Sequence, residues 1–144
     1  MAIKKYGTAH WTGPLKEGQG KVSTETGALT DQPYGFKQRF EGVRGSNPEE
    51  LIGAAHAACY AMALSLNLGE DGLTADDIDA KSTISLEEDP QGGFKITRAH
   101  LEVTAKVPGA SQEQFDKAAQ ATKTGCPVSK LLNCEVTLDA KLVS

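Results

Sequence analysis

The longest apolar stretch of the chain, residues 51–68, has the length of a helix rather than that of a strand. Residues 46–50 before it supply cap residues, a proline suited to the first helical position and two acids for the first turn. We therefore predict a helix with Asn47 as its N-cap and Gly69 near its end. Small residues surround its middle on nearly every side and polar ones interrupt it, which indicates a buried central helix rather than a membrane span.

Glycine-rich, alternating segments before this helix predict strands. They cover residues 6–11, 21–26 and 36–42, with turns at 13–14, 18–20 and 32–35. In the third segment a period of two places Phe36 and Phe40 on one face and charged residues on the other. Arg39 is therefore expected on the polar face of a strand.

Two more strands are predicted after the helix, at residues 83–87 and 94–107, with a hairpin turn at 89–93 between them. The apolar positions of the second strand change parity partway along it. A β-bulge near Thr97 would bring both parts onto one face, so we predict a bulge there.

Two helices and a strand complete the predicted elements. Ser111 opens a helix with a Ser-x-x-Gln capping box, and Gly125 is expected to end it. Pro127 suits the first position of a short helix through Leu132. The last strand places Cys134 on the same face as alternate apolar residues. The elements together predict an α+β fold, a mostly antiparallel sheet around a buried central helix.

Composition narrows the possible partners. A chain of 144 residues has the size of one domain, so we expect residues 1–144 to form a single domain. The formal charge of −4 argues against nucleic acid or an anionic membrane as the main partner. The first residues have no apolar segment typical of a signal peptide, so a soluble, cytoplasmic protein is expected. Only 39% of residues are hydrophobic, and a second subunit could share the apolar surface.

Each of the three cysteines has an ordinary structural interpretation. Cys59 inside the predicted helix and Cys134 on the last strand can pack as small apolar side chains. Cys126 lies at or near a helix N-cap, where a thiolate is favoured, although a cysteine there is more often structural. His56 and Cys59 share a helix face and form half of a possible metal site. No second ligand pair has comparable spacing, so His56 is expected to be packed or hydrogen-bonded, and neither a metal nor a cofactor is predicted.

Two charged residues are candidates for the surroundings of Cys59. Glu49 lies ten residues before Cys59, almost three helical turns, so both can border one groove that Arg39 could also reach. Each has a simpler interpretation, because a first-turn Glu supports the helix dipole and an Arg on a strand is usually exposed. Phosphate-binding, dinucleotide-binding and serine-hydrolase motifs are absent from the sequence.

Two motifs give these residues a context. Residues 47–59, NPEELIGAAHAAC, closely resemble the signature of the OsmC/Ohr family of osmotically inducible and organic hydroperoxide resistance proteins. Residues 125–129, GCPVS, are similar to the second cysteine motif of that family. Residues 32–36 and 39–42 resemble the OsmC branch, and the resemblance extends over essentially the whole chain.

The resemblance implies an intertwined homodimer with two active sites at the subunit interface. It also implies a thiol-dependent peroxidase in which Cys59 attacks the peroxide and Cys126 then closes a disulfide with it. Arg39 and Glu49 would orient and activate Cys59. The expected substrates are organic hydroperoxides, reduced faster than hydrogen peroxide, and an external dithiol such as a lipoylated protein would restore the thiols.

The residues leave two other functions open. A redox-sensing or stress-protective binding protein would form the disulfide slowly and show no turnover with excess reductant. A purely structural dimeric domain would keep Cys59 inert to alkylation and to peroxide alike.

Overall fold

The structure, a computed structural model, describes residues 1–143. Two units follow one another along the chain, Met1–Leu51 and a second unit from Ile52 onward. The elements are β1 (Gly7–Thr12), β2 (Gln19–Thr24), β3 (Gln32–Tyr34), α1 (Phe36–Phe40), α2 (Pro48–Glu70), β4 (Asp77–Glu88), β5 (Phe94–Lys106), α3 (Gln112–Gly125), α4 (Pro127–Leu131) and β6 (Glu135–Val143). The predicted α+β class is confirmed, whereas the single domain over residues 1–144 stays a prediction.

The first unit is built on an antiparallel sheet in the order β1-β2-β3. The predicted third strand over residues 36–42 is wrong, because α1 occupies Phe36–Phe40 and places Arg39 on a helix. A spacing of four residues puts Phe36 and Phe40 on one face of either a helix or a strand, and here their rings pack 4.9 Å apart. The predicted turn at residues 32–35 is instead largely β3, which pairs with β2.

The second unit contains a sheet in the order β4-β5-β6. Strands β4 and β5 pair in antiparallel fashion, and the register passes from Ser85 opposite Arg98 to Leu86 opposite Ile96. Thr97 is left out of the pairing, so the predicted bulge is confirmed. The Asp89 N–H donates to the Gly93 carbonyl oxygen over 2.8 Å in the predicted hairpin turn. Strands β5 and β6 are parallel, because the chain crosses back through α3 and α4 between them.

Helix α2 begins as predicted. The Asn47 side-chain oxygen accepts a hydrogen bond from the Glu50 N–H over 2.8 Å, so Asn47 is the N-cap. The buried residues recur every three or four positions: Gly53, His56, Tyr60, Leu64 and Leu68. The opposite face carries exposed residues, including Met62 and Leu66. By length and composition alone α2 could cross a membrane, and its buried stripe packs into the core of the second unit.

The core of the second unit lies between its helices and its sheet. Alternate residues of β5 and residues from one face of α3 contribute side chains to it, together with the buried stripe of α2. The capping box at the start of α3 is confirmed, since the Gln114 N–H donates to Ser111 Oγ and the Ser111 N–H donates to Gln114 Oε1. Helix α4 starts at Pro127 as predicted, with Cys126 as its N-cap.

Gly53 lets α2 approach β4 closely. A Cβ atom at this position would lie 2.8 Å from the Ser82 carbonyl oxygen, whereas one at Gly69 meets nothing within 4 Å. We expect Gly53→Ala to lower the free energy of unfolding by about 1–3 kcal/mol through overpacking. Gly69→Ala, the matched control on the same helix, should raise it by up to about 1 kcal/mol. Urea unfolding at one protein concentration measures both, and equal stabilities would contradict the close approach.

Candidate active site

A bidentate ion pair lies in the first unit. Arg39 Nε donates to Glu49 Oε1 over 2.8 Å, and Arg39 Nη2 donates to Glu49 Oε2 over 2.9 Å. Short helix α1 positions the guanidinium, and the first turn of α2 positions the carboxylate. The Glu49 side chain is only 13% exposed, whereas Arg39 is 38% exposed. Two parallel hydrogen bonds fix the orientation of the guanidinium and leave its outer edge open to a ligand.

An apolar cavity of about 190 Å³ adjoins Arg39. Its walls come from the first unit and are mostly aromatic or aliphatic: Trp11, Leu15, Tyr34, Gly35, Phe36, Arg39, Phe40 and Pro48. A larger recess of about 930 Å³ along β1, β2 and α1 contains none of the four predicted site residues. The smaller cavity is therefore the better candidate for a substrate site, because it is an apolar pocket with a guanidinium in its wall.

The second unit brings Cys59 and Cys126 together. Cys59 is half-buried on α2, and its thiol contacts the Cys126 side chain and the Val128 N–H through hydrogen bonds. Cys126 is fully buried, and its Sγ accepts the Ser129 N–H over 3.4 Å as the cap of α4. Both cysteines are free thiols. The two sulfurs are therefore neighbours in the reduced protein, and their pairing as a disulfide stays a prediction.

The surroundings of Cys59 in the second unit favour its thiol form. Burial raises the pKa of Cys59, the Val128 N–H lowers it, and the hydrogen bond and charge of Cys126 raise it again. The net direction is upward from the ordinary value of a cysteine. A positive charge beside Cys59 would therefore favour the thiolate that burial and Cys126 oppose.

His56 is buried and hydrogen-bonded at both ring nitrogens, so that prediction is confirmed. Nδ1 lies 2.7 Å from Ser82 Oγ, and Nε2 lies 2.8 Å from Ser129 Oγ. Burial lowers the pKa of His56, which keeps the imidazole neutral near pH 7. Among residues 1–143 no group of three or more His, Cys, Asp or Glu side chains is placed to hold a metal ion.

Sequence reasoning missed Ser82 and Ser129 as members of this cluster. Ser129 could have been recognised from the sequence. It lies three residues after a predicted N-cap, and the backbone N–H at that position donates to the cap side chain. Ser82 could not have been, since only the pairing of β4 with β5 and the approach of α2 place it beside His56.

Cys134 lies just before β6 and is half-buried. Burial raises the pKa of its thiol, and a hydrogen bond with the Ala99 backbone lowers it. These surroundings suit the packing role expected for this cysteine.

The chain is similar in sequence to proteins whose names refer to the reduction of peroxides or to resistance against them. A family model described as OsmC-like protein matches residues 41–141. Peroxiredoxin OsmC of Escherichia coli strain K12 is 54% identical over 144 residues, which is 100% of both chains. Organic hydroperoxide resistance protein-like 1 of Staphylococcus saprophyticus is 32% identical over 86% of this chain and 88% of its own length.

Solved structures agree on the fold. The crystal structure of the organic hydroperoxide resistance protein OhrB of Bacillus subtilis has a TM-score of 0.69 and 25% sequence identity, covering 96% of this chain and 98% of that one. An OsmC-like protein from Mycoplasma pneumoniae has a TM-score of 0.77 with all of both chains covered, but at 17% identity this likeness concerns the fold alone.

Proposed function

This chain belongs to the OsmC-like family, and from that membership we propose that it is a cysteine-based peroxidase that reduces organic hydroperoxides. The names of its relatives, peroxiredoxin and organic hydroperoxide resistance protein, support a peroxidase-type role. The observation that carries the proposal is the contact between the reduced thiols of Cys59 and Cys126. Two adjacent thiols suit a reaction in which one attacks the peroxide and the other resolves the product.

In the first step the Cys59 thiolate attacks the distal oxygen of the hydroperoxide. A sulfur–oxygen bond forms, the oxygen–oxygen bond breaks, and the alkoxide takes up a proton and leaves as an alcohol. Cys59 is oxidised to a sulfenic acid while the peroxide is reduced.

In the second step Cys126 attacks the sulfenic sulfur of Cys59. A disulfide forms, and the leaving hydroxide becomes water after taking a proton. This removes the sulfenic acid before a second peroxide can oxidise it to a sulfinic acid. An external dithiol then restores both thiols by exchange, and a lipoylated protein is a dithiol of this kind.

Arg39 and Glu49 are proposed to activate Cys59 in a homodimer. Glu49 and Cys59 lie ten residues apart on α2, about 15 Å along the helix axis. In an intertwined dimer the ion pair of one subunit can face Cys59 of the partner subunit. The exposed face of α2 supports a dimer, since Met62 is 78% exposed and Leu66 is 68% exposed.

The proposed preference for organic hydroperoxides rests on the cavity beside Arg39. Its aromatic walls would bury an alkyl or aryl group while the guanidinium meets the peroxide oxygens. Hydrogen peroxide has no apolar group to bury and gains nothing from such walls. Free thiols suit a reducing compartment, so we propose a cytoplasmic location.

A redox sensor is the second candidate, and the raised pKa of Cys59 favours it. A thiol that is mostly protonated reacts slowly with peroxide. A sensor would need only one slow oxidation per signal, whereas a peroxidase must turn over.

The test begins with fully reduced protein and one equivalent of cumene hydroperoxide. We expect loss of two thiols, a Cys59–Cys126 disulfide by peptide mass spectrometry, and faster oxidation than with hydrogen peroxide. Repeated turnover with excess dihydrolipoamide distinguishes the peroxidase from the sensor. Survival of all three thiols, or a disulfide that includes Cys134, would show that the assignment is wrong.

A further inference from the structure

A line of hydrogen bonds leads from Cys126 into the core of the second unit. Cys126 Sγ donates to Ser129 Oγ over 3.2 Å, and Ser129 Oγ lies 2.8 Å from His56 Nε2. On the far side of the ring, His56 Nδ1 lies 2.7 Å from Ser82 Oγ. The three elements that meet here are α4, α2 and β4. A thiol, two hydroxyls and an imidazole are thus linked in one chain of contacts.

The hydrogen bonds of this chain can all run in a single direction, when the tautomer of His56 is assigned from its partners. Because the Cys126 thiol donates to Ser129 Oγ, the Ser129 hydroxyl proton is directed to His56 Nε2. Nε2 is then the acceptor nitrogen, and Nδ1 carries the ring proton that Ser82 Oγ accepts. Each proton from the Cys126 thiol to the Nδ1–H of His56 then has an acceptor, so a proton can leave the thiol without any side chain changing its position.

We propose that Ser129 and His56 form a proton relay that removes the thiol proton of Cys126 as its sulfur attacks the oxidised Cys59. This role goes beyond the two-cysteine chemistry and rests on the proposed function. A proton acceptor within the protein is required here, because Cys126 is fully buried and bulk water does not reach its sulfur. Ser129 touches the reacting sulfur, whereas His56 acts through Ser129 and is a positioning residue.

The step balances as follows. The Cys126 proton passes to Ser129 Oγ while the Ser129 proton passes to His56 Nε2, which becomes an imidazolium. The Cys126 sulfur is oxidised as the sulfur–sulfur bond forms, and the Cys59 sulfur is reduced as its bond to oxygen breaks. Hydroxide leaves, and the proton held by His56 neutralises it, so the net product is a disulfide and one water.

The electrical surroundings of His56 suit a neutral proton acceptor. Its two hydrogen-bond partners are uncharged hydroxyls, and loss of solvation lowers its pKa. Of the titratable groups on the elements that carry the relay, Cys59 and Tyr60 follow His56 on α2, and Cys126 caps α4. Burial raises the pKa of Tyr60, and its hydroxyl donates to the Ala119 carbonyl oxygen, so it stays protonated and takes no part in the relay.

Ser129→Ala tests the relay because it removes the middle oxygen and keeps the backbone N–H that caps Cys126. Reduced protein is mixed with one equivalent of cumene hydroperoxide, and dimedone traps the sulfenic acid at intervals for mass spectrometry. We expect sulfenic acid formation within about twofold of the unaltered protein and closure of the disulfide about 10²-fold slower, the usual scale of general-base catalysis. His56→Gln should slow closure to a similar extent.

The pH profile separates a relay from a merely structural role. With the relay intact, the closure rate should be flat near neutral pH and fall in acid, below the ordinary histidine pKa of about 6.5, as His56 becomes protonated. In Ser129→Ala it should rise with pH throughout, because the Cys126 thiol must then ionise without the His56 base before its sulfur can attack. Ser129→Thr keeps a hydroxyl and should restore most of the rate, and Ser82→Ala leaves the Nε2 contact and should have a small effect. Wild-type rates and an unchanged pH profile in both Ser129→Ala and His56→Gln would overturn the relay.

A second closure reaction keeps this test independent of peroxide chemistry. An aromatic disulfide reagent places a thionitrobenzoate group on Cys59, and attack by Cys126 releases it with a colour change. Ser129→Ala should slow this release by the same factor. If peroxide leaves Cys59 unoxidised but release depends on Ser129, the proposed function fails and the relay stands. If both closures ignore Ser129 while peroxide is still reduced, the relay fails alone.

Discussion

Cys59→Ser is expected to lower peroxide turnover by at least about 10³-fold, because a serine hydroxyl stays protonated where a thiol can ionise. The substitution changes one atom in a half-buried helix position, so the fold should persist. Consumption of cumene hydroperoxide with excess dihydrolipoamide measures the loss. Residual turnover within about tenfold of the unaltered protein would mean that Cys59 is not the residue that attacks the peroxide.

Cys126→Ser separates the two thiols. A serine at an N-cap accepts a backbone N–H well, so α4 should keep its cap from the Ser129 N–H. The first oxidation of Cys59 is expected to proceed, after which the sulfenic acid has no neighbouring thiol. It should persist to dimedone and, with excess peroxide, gain a second oxygen as a sulfinic acid that mass spectrometry detects. Steady turnover should be lost.

Cys134→Ser is the matched control for both substitutions. It replaces the third free thiol, which lies before β6 and hydrogen-bonds with the Ala99 backbone. We expect turnover within about twofold of the unaltered protein. A loss as large as that of Cys126→Ser would move the resolving role to Cys134.

Local signals predicted those parts of the fold in which near neighbours decide the structure. The Asn47 cap, the capping box of α3 and Pro127 at the start of α4 are set by contacts within one helical turn. The bulge at Thr97 could be predicted because the apolar residues of this strand change from even to odd positions, and one extra residue keeps both sets on the same face. Each of these features is visible in the order of the residues alone.

One prediction was wrong because a local pattern has two solutions, and other features could not be predicted because they depend on distant parts of the chain. Phe36 and Phe40 share a face in a strand and in a helix, and the sequence between them does not distinguish the two. The parallel pairing of β5 with β6 depends on a crossover of about thirty residues, which no short pattern specifies. The contact of Ser82 with His56 joins residues on different elements and depends on the glycine at position 53.

The candidate site also has a part that could be predicted from the sequence and a part that could not. The motif containing Cys59 and the motif containing Cys126 could be found in the sequence, and the structure brings these two thiols into contact in the second unit. The bidentate geometry of Arg39 and Glu49 could not be derived, since Arg39 was expected on a strand. The structure also shows that burial and Cys126 raise the pKa of Cys59, and so oppose the thiolate that the proposed chemistry requires.

Arg39→Met is therefore expected to lower the rate of peroxide reduction by about 10²-fold near neutral pH. A guanidinium stays charged at all relevant pH values, and an opposite charge within a few ångströms lowers a thiol pKa by about 1–3 units. In the proposed homodimer its removal leaves burial and Cys126 as the main influences, and both of these raise the pKa of Cys59. The thiolate fraction below that pKa, and with it the rate, falls in proportion. Methionine keeps much of the length and apolar contact of the side chain.

The pH dependence of Cys59 alkylation by iodoacetamide, followed by peptide mass spectrometry, measures this shift directly. Arg39→Lys should recover only part of the rate, because an ammonium carries the charge but cannot form the two parallel hydrogen bonds with Glu49. Arg44→Met removes an exposed arginine from the same unit and should leave the profile unchanged. If Arg39→Met also leaves the alkylation profile unchanged, the guanidinium does not stabilise the thiolate. The raised pKa of Cys59 then stands uncompensated, and slow oxidation by peroxide, the behaviour of a sensor, becomes the better account of this protein.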